Sequence, residues 1–303
     1  MNGKKVFQIF DGILEVIFYP DIVRVNNSTT LWIVAFVATM VTAYVQRVTG
    51  PSYPLAGETH FTGVAIHYDL PRTHGGPLPA VIQIQTTDST VHGFIEWKRF
   101  KTEDPWTHIT MRFSNGTLAA ELPHQPPAGK LEYRLALSRG NEVAVVPGEE
   151  PLVIRFKGEV PLSILIPHII AMFASMLFAA RAGLEYFGGA SRLRALTYWT
   201  IGFLLVGGII LGPIVQHYAF GEWWTGWPFG TDLTDTKTGI IVAMWFVVAI
   251  AVRKSRQAKR WASAAAIMTF VVFLIPHSLF GSELDYKLVD KNKSKTDTLI
   301  DRR

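Results

Sequence analysis

The chain has 303 residues, of which 49% are hydrophobic and only 17% are charged, and its mean hydropathy is +0.23. This composition is more apolar than that of an ordinary soluble domain and favours a membrane protein. The formal charge of +5 does not indicate nucleic-acid binding, because the basic residues cluster beside hydrophobic segments. Without cysteine, the chain cannot form disulfides, thiolate zinc sites or iron–sulfur clusters.

Residues 1–30 form an amphipathic segment. Gln8, Asp11, Gly12 and Glu15 recur at helical spacing among residues that are almost all apolar. The pattern predicts a helix that either lies in the membrane interface or packs on other helices of the same chain. The sequence leaves both alternatives open.

Residues 31–48 predict the first transmembrane helix. They carry no charge before Arg47, and at about 1.5 Å per residue they are roughly long enough to cross a bilayer core. A signal peptide would also contain such an apolar stretch. The long segment before it, and the lack of a small-x-small cleavage site, favour a retained anchor.

Residues 51–160 change to short alternating strands separated by turn residues, which predicts an antiparallel β-sandwich. The clearest strands are residues 80–85, 92–98, 130–137 and 152–156. Within them, Pro126-Pro-Ala-Gly-Lys-Leu-Glu-Tyr-Arg-Leu resembles the strand of immunoglobulin-like and fibronectin type III domains that carries a tyrosine corner, with Tyr133 as the candidate. The resemblance covers about a third of the chain and implies an architecture only, since such sandwiches serve as binding or spacer modules.

Four further apolar runs predict four more transmembrane helices within residues 161–281. The runs are residues 162–180, 196–215, 239–252 and 261–280, and the third is short unless residues 233–238 extend it. The predicted fold class is therefore mixed: a bundle of about five transmembrane helices with an inserted all-β sandwich of immunoglobulin or fibronectin type III type.

Basic residues predict the orientation of these helices. The connection 181–194 carries three arginines, and the connection 253–260 carries five basic residues without an acid, so both are expected to be cytoplasmic. The amino terminus is then cytoplasmic, and the sandwich and the polar tail, residues 282–303, are extracytoplasmic. The working assumption is a bacterial inner membrane. The composition of the tail from Asp285 onward predicts disorder, or order only with a partner.

Three of the nine histidines lie in or beside the predicted helices. His168 lies about two turns into the second helix, His217 ends the third, and His277 is near the end of the fifth. The predicted topology brings all three towards the outer face. Carboxylates of the same layer are Glu222, Asp232 and Asp235, followed after the fifth helix by Glu283 and Asp285.

Ionisable groups at membrane depth are costly and often mark functional sites. Two neutral imidazoles on facing helices could bind both axial positions of a b-type haem, and His168 with His277 is the predicted pair. His217 would be a hydrogen-bonding neighbour or an alternative ligand. The other cofactor prediction is a transition metal held by histidines and carboxylates. Its candidate ligands are His168, His217, His277, Glu222, Asp232 and Asp235.

A structural role for the histidines is the third alternative. Pro167 and Pro276 precede His168 and His277, and a proline leaves a carbonyl one turn earlier without its amide partner. A nearby imidazole could satisfy that carbonyl.

The connection 217–237 combines three tryptophans, three glycines and a proline with three carboxylates. Its tryptophans suit an aromatic belt at the lipid boundary. The many turn residues favour instead an ordered cap over a cofactor, a quinone pocket or another subunit, with Asp232 or Thr234 capping the fourth helix.

These patterns predict an integral membrane subunit with a haem or metal site near the outer face, serving electron transfer in a larger complex. The alternative is a non-catalytic structural or assembly subunit whose sandwich docks partner proteins. The expected partners are the lipid bilayer and other membrane or extracytoplasmic subunits, without nucleic acid. No phosphate-binding glycine loop, nucleophile elbow or HExxH motif occurs, so the sequence does not decide whether the chain is an enzyme.

Overall fold

The computed structural model describes residues 27–230, 232–275 and 283–292 and divides them into two compact units. The helical unit comprises residues 27–49, 161–215 and 226–275, apart from residue 231. The sheet unit comprises residues 50–160, 216–225 and 283–292. The predicted mixed class of helices and sheets is confirmed. The amphipathic segment predicted for residues 1–30 lies almost wholly outside the described residues.

Eleven strands in two sheets are found in the described part of the sheet unit. In chain order they are β1 (Leu55–Phe61), β2 (Val64–Leu70), β3 (Thr73–Gly75), β4 (Ala80–Thr86), β5 (His92–Arg99), β6 (Thr107–Thr110), β7 (Arg112–Ser114), β8 (Thr117–Leu122), β9 (Lys130–Arg139), β10 (Glu142–Val146) and β11 (Leu152–Lys157). The first sheet has the order β1-β2-β4-β8-β7. The second has the order β3-β11-β9-β5-β6, and β10 also pairs with β9. Every pair is antiparallel except β3 with β11.

Period-two alternation decides which face of each strand is buried. In β4, Ile82 and Ile84 are buried whereas Gln83 and Gln85 are exposed, as the sequence pattern predicts. Strands of both sheets contribute to one buried apolar cluster, in which Ile82 of the first sheet and residues such as Leu135 of the second take part. The two sheets therefore enclose one core as a sandwich.

Tyr133 lies in β9 with its ring fully buried, and its hydroxyl donates to the Pro71 carbonyl at 3.0 Å. A tyrosine corner instead bonds the backbone a few residues upstream of the tyrosine. The predicted tyrosine corner is therefore wrong. The cause is the path of the chain: Pro71 lies between β2 and β3, and β3 pairs with β11 beside β9, so this connection passes the Tyr133 hydroxyl.

Residues 283–292 belong to the sheet unit and contact its sandwich, and residues 286–292 are helical. Tyr286 is only 6% exposed, and its hydroxyl accepts a hydrogen bond from the Lys130 amide at 3.1 Å. The same hydroxyl lies 3.0 Å from the Lys130 carbonyl and 3.1 Å from Gln125 Oε1, so it can donate to either oxygen. The Leu284 amide adds a bond to the Ala128 carbonyl at 3.2 Å.

Ion pairs complete this contact, which we call the C-terminal clasp. Arg99 donates to both carboxylate oxygens of Asp290, at 2.8 and 2.9 Å, and to both of Asp104, at 2.6 and 3.0 Å. Glu283 accepts from Lys101 at 2.8 Å and from Lys130 at 2.7 Å. The tail from Asp285 onward was expected to be disordered, or ordered only with a partner. This expectation is wrong for residues 285–292, because Tyr286 and Asp290 hold them on the chain's own sandwich.

The helical unit contains long apolar helices. They are α1 (Ser28–Thr49), α2 (Leu162–Gly183), α3 (Leu193–Leu204), α4 (Gly212–Phe220, whose last residues belong to the sheet unit), α5 (Leu233–Lys254) and α6 (Ala258–Leu274). A 3-10 turn, Leu184–Tyr186, follows α2, and a π-helical segment, Leu205–Leu211, joins α3 to α4. The start of α5 confirms that residues 233–238 extend the third predicted run.

Four stretches among the described residues are long and apolar enough to cross a membrane: Ser28–Thr49, Leu162–Tyr186, Leu193–Phe220 and Leu233–Lys254. The helix α6 has 17 residues and is shorter than each of these four stretches. Residues 276–280 of the fifth predicted helix lie outside the described residues.

Arg181 and Glu185 form an ion pair at the end of α2. Their side chains are 2% and 4% exposed, and Nη1 lies 2.7 Å from Oε1. Arg181 was counted among the basic residues of the connection 181–194, but it lies in the last turn of α2, where it is buried and paired with Glu185. The basic character of the connection 181–194 therefore depends on Arg192 and Arg194.

Acidification should release the C-terminal clasp. Against the opposing effect of burial, hydrogen bonds from Lys101 and Lys130 lower the pKa of Glu283, and those from Arg99 lower the pKa of Asp104. The stability from such depressed carboxylates is fully present above their unfolded pKa values of about 4 and is lost as pH falls through the lower folded values. The protection factor of the Lys130 amide, measured by hydrogen exchange, should fall in that window.

A neutral variant checks this assignment. Since exposed ion pairs contribute about 0.2–1 kcal/mol, Glu283→Gln should lower the Lys130 protection factor by up to about five-fold at pH 7. Glu149→Gln, an exposed carboxylate in the same unit, is the matched control and should have no effect. Equal protection in the wild type and Glu283→Gln would contradict a role for the ion pairs in docking.

Candidate functional site

His168 lies in α2, and its ring contacts the backbone of the π-helical segment. Its Nδ1 lies 2.9 Å from the Gly207 carbonyl oxygen. Because a carbonyl oxygen only accepts, Nδ1 carries the proton and donates it, and the neutral ring keeps its lone pair on Nε2. This arrangement satisfies a helix carbonyl. It also leaves Nε2 as the nitrogen that can bind a metal or a proton.

Glycine and proline explain the irregular helix beside His168. Pro213 has no N–H to donate to a carbonyl of the preceding turn. The Gly212 amide donates instead to Gly207, five residues earlier, which is the π-helical pattern. A Cβ on Gly207 would lie 2.9 Å from the Met172 sulfur, so glycine permits this close approach to α2. Such π-helical segments recur at functional sites.

His217 closes the end of α4 and belongs to the sheet unit. Its Nδ1 lies 3.1 Å from the Gly221 carbonyl, and the Gly221 amide donates to the His217 carbonyl at 2.8 Å. The φ of +84° at Gly221 is the left-handed conformation that ends many helices. The imidazole also stacks on Trp223, with ring centroids 4.2 Å apart and planes at 8°. These contacts account for His217 as the end of a helix.

Hydrogen bonds order the connection before α5. Asp232 is the N-cap, accepting from the Thr234 amide at 2.7 Å, so of the two predicted caps, Asp232 and Thr234, the structure selects Asp232. Thr236 Oγ1 donates to the Asp232 carbonyl at 2.8 Å and accepts from the Trp227 amide at 3.0 Å. Asp235 is buried, and Gly226 lies against it, since an added Cβ would be 2.5 Å from the Asp235 Cβ.

A buried lysine lies near Asp232. Lys237 is 5% exposed, and its Nζ donates to the Ile275 carbonyl at 2.7 Å. Asp232 and Lys237 are close enough to interact electrostatically. The sequence analysis singled out Asp232 and Asp235 but missed Lys237. Its signal was a single cation within two turns of two acids at the start of an apolar helix.

The predicted metal ligands have different local contacts in the structure. His168 bonds a helix carbonyl, His217 and Asp232 terminate helices, Asp235 is buried, and Glu222 is exposed. Across residues 27–230, 232–275 and 283–292, no group of three or more His, Asp and Glu side chains is arranged to hold a metal ion. His277 lies outside those ranges, so the haem pair of His168 with His277 stays a prediction.

The chain was also compared with known proteins. No protein-family model matches it, and no curated protein matches it significantly. Its function is therefore inferred from its own residues.

Replacing His168 should test the bond to the Gly207 carbonyl. His168→Leu removes the donor and should destabilise the protein by about 0.6–1.5 kcal/mol, whereas the side-chain amide of His168→Gln can still donate. Thermal unfolding in detergent would measure the difference, with Ile169→Leu on the exposed face of α2 as the control. Equal unfolding of the Leu and Gln variants would mean that this hydrogen bond contributes nothing.

Proposed function

We propose that the protein is a membrane-anchored assembly subunit whose sandwich, held outside the cytoplasm, docks a partner protein. The four apolar stretches described above support membrane insertion. The five basic residues of the connection 253–260, without an acid, support a cytoplasmic position for it.

The C-terminal clasp supports the topology. The sandwich and residues 283–292 touch, so they share one side of any membrane, and the chain crosses it an even number of times between residues 160 and 283. Three candidate spans lie in that interval. The 17-residue helix α6 supplies the fourth crossing, which brings the total to five with α1. The sandwich and the carboxyl-terminal segment are then both extracytoplasmic.

The strand order supports an immunoglobulin-like sandwich. In such domains one sheet contains strands A, B and E and the other contains strands C, F and G. The neighbours β2-β4-β8 and β11-β9-β5 follow this pattern, with β9 in the place of strand F. Sandwiches of this architecture commonly serve as binding modules.

The observation that carries the docking role is an aromatic and charged surface on the second sheet, which we call the Trp106 face. Trp106 lies between two cations, with its ring centroid 5.4 Å from Lys98 Nζ and 4.6 Å from the Arg134 guanidinium carbon. Lys98 pairs with Glu132 at 3.6 Å, and His108 Nε2 lies 3.5 Å from Glu96 Oε1 on the neighbouring strand. The face consists of Phe94, Glu96, Lys98, Trp106, His108, Glu132 and Arg134.

This composition fits a protein partner. Tryptophan and arginine are enriched among the residues that contribute most to the binding energy of protein interfaces. The contacts of Trp106 with Lys98 and Arg134 hold these three side chains in place before a partner binds. The outward residues of β4 in the first sheet, Val81, Gln83 and Gln85, carry neither charge nor aromatic ring. The partner would present a carboxylate to Arg134 and an apolar side chain to Trp106.

Site-specific photocrosslinking in the native membrane tests the docking role. A photoreactive residue at His108, on the Trp106 face, should give a discrete protein adduct, whereas one at Gln83 on the first sheet should not. Adding Trp106→Ala should reduce the His108 adduct by at least ten-fold, since truncating a central interface residue costs about 2 kcal/mol or more. Equal adducts from both faces, or a His108 adduct that persists in Trp106→Ala, would refute docking at this surface.

Electron transfer through a bound haem or transition metal is the second candidate function. It is supported by the hydrogen bond from His168 Nδ1 to the Gly207 carbonyl. A ligating histidine commonly donates Nδ1–H to a carbonyl and binds the metal through Nε2. When bound, the cofactor would supply the redox chemistry, and His168 would provide one ligand. His277 is the second ligand in this proposal.

An oxidised-minus-reduced absorption spectrum with metal analysis, on protein solubilised from its native membrane, tests this candidate. His168→Gln keeps a hydrogen-bond donor but cannot replace imidazole as a haem ligand, so the protein should stay folded and lose the signal. A wild-type protein with neither a haem band nor stoichiometric metal would exclude the candidate.

A further inference from the structure

An apolar groove of about 670 Å³ runs along α6 in the helical unit. Its walls come from α1, from the end of α2 with its 3-10 turn, and from α6. Small side chains, such as Ala38 of α1, Gly183 of α2 and Ala264 of α6, give the groove its depth. Ile267, also in its wall, is 62% exposed, so the described protein does not cover the groove.

One end of the groove is basic. Arg260, in the first turn of α6, is the one charged residue among the described residues that line the groove, and it follows four other basic residues of the connection 253–260. Lys259 donates to the Gly188 carbonyl at 2.8 Å, and Arg253 donates to the Tyr198 hydroxyl at 2.7 Å. The Arg260 side chain is exposed at the end of the groove. The nearby carboxylate of Glu185 is neutralised by Arg181 and does not repel an anion.

The length of the groove matches a lipid chain. Its lining on α6 runs from Arg260 to Leu274, which at 1.5 Å per residue is about 21 Å. One leaflet of a bilayer contributes about 15 Å of hydrocarbon. The groove is therefore long enough to hold the whole of an acyl chain that starts at the level of Arg260.

We propose that this groove binds an anionic phospholipid of the cytoplasmic leaflet, with the phosphate at Arg260 and one acyl chain against the alanines. The inference rests on the membrane insertion proposed above, but not on the docking role. Its basis is charge complementarity, because basic pockets between transmembrane helices on the cytoplasmic side select anionic headgroups. Neutral phospholipid would fill the apolar part equally well but would gain nothing from Arg260.

The test measures lipid binding to the full-length protein in detergent. Phosphatidylglycerol and phosphatidylcholine with identical acyl chains are added separately, and bound lipid is counted by native mass spectrometry alongside the midpoint of thermal unfolding. Phosphatidylglycerol should bind more tightly and raise the midpoint more. Arg260→Gln should weaken its binding about five-fold, the equivalent of about 1 kcal/mol for one basic residue at a membrane surface.

Two pairs of variants locate the site. Ala264→Leu fills the groove and should reduce the binding of both lipids, whereas Ala243→Leu on the exposed side of α5 should not. Arg256→Gln, from the same basic connection but outside the groove, is the control for Arg260→Gln. If Ala264→Leu failed to fold, the two arginine variants would still decide the question.

Three results would overturn the proposal: equal affinity for the two lipids, a preference for phosphatidylglycerol that survives Arg260→Gln, or a dimer that dissociates in Ala264→Leu and so identifies a second copy as the occupant. Alkaline extraction of the membranes separates these failures from a failure of membrane insertion. Protein that resists extraction but shows no lipid preference leaves insertion intact and removes the lipid site alone.

Discussion

The docking of residues 283–292 on the sandwich constrains the path of the whole chain. Arg99 holds Asp290 and Asp104 together, Glu283 bridges two lysines, and the buried Tyr286 ring anchors the segment through its hydroxyl. Each exposed ion pair is weak alone, but charged pairs that share one arginine and surround a buried aromatic ring form a specific contact. A chain that leaves the sandwich at residue 160 and returns to it at residue 283 must cross any membrane an even number of times. Since three candidate spans lie between these residues, the clasp supports a fourth crossing by the short helix α6.

A second constraint acts within the helical unit, where polar groups have few partners. The Gly207 carbonyl accepts from both the Gly212 amide and His168, and Trp245 Nε1 donates to Thr269 at 3.0 Å inside the core. Unsatisfied groups of this kind are costly in an apolar medium, so each bond specifies how neighbouring helices pack. His168 thus has a structural task whether or not its Nε2 binds a cofactor. The His168→Gln variant is informative because it separates the two roles.

Local patterns in the sequence predicted the local structure well. The alternation in β4 and the start of α5 are set by neighbouring residues, and Asp232 reaches the amide of a residue only two positions away. Contacts between distant residues were not predictable in this way. The partner of Tyr133 lies 62 positions earlier, and Arg99 bonds Asp290 across 191 positions. Composition alone made the tail look disordered because it does not reveal which distant side chains will meet. The candidate histidines show the same limit: their positions along the helices predicted a shared depth, but only the fold assigns Gly207 to His168 and Trp223 to His217.

Cysteine labelling tests the topology most directly, and the absence of cysteine from the chain makes single-cysteine variants unambiguous. The positions are Gln83 on the sandwich, Leu288 in the C-terminal clasp, where the side chain is 58% exposed, and Arg256 in the basic connection. In right-side-out membranes, a membrane-impermeant maleimide should label Gln83→Cys and Leu288→Cys at once, and Arg256→Cys only after permeabilisation. Labelling of Gln83→Cys and Leu288→Cys from opposite sides would contradict the shared side that the clasp requires, and with it the crossing of α6.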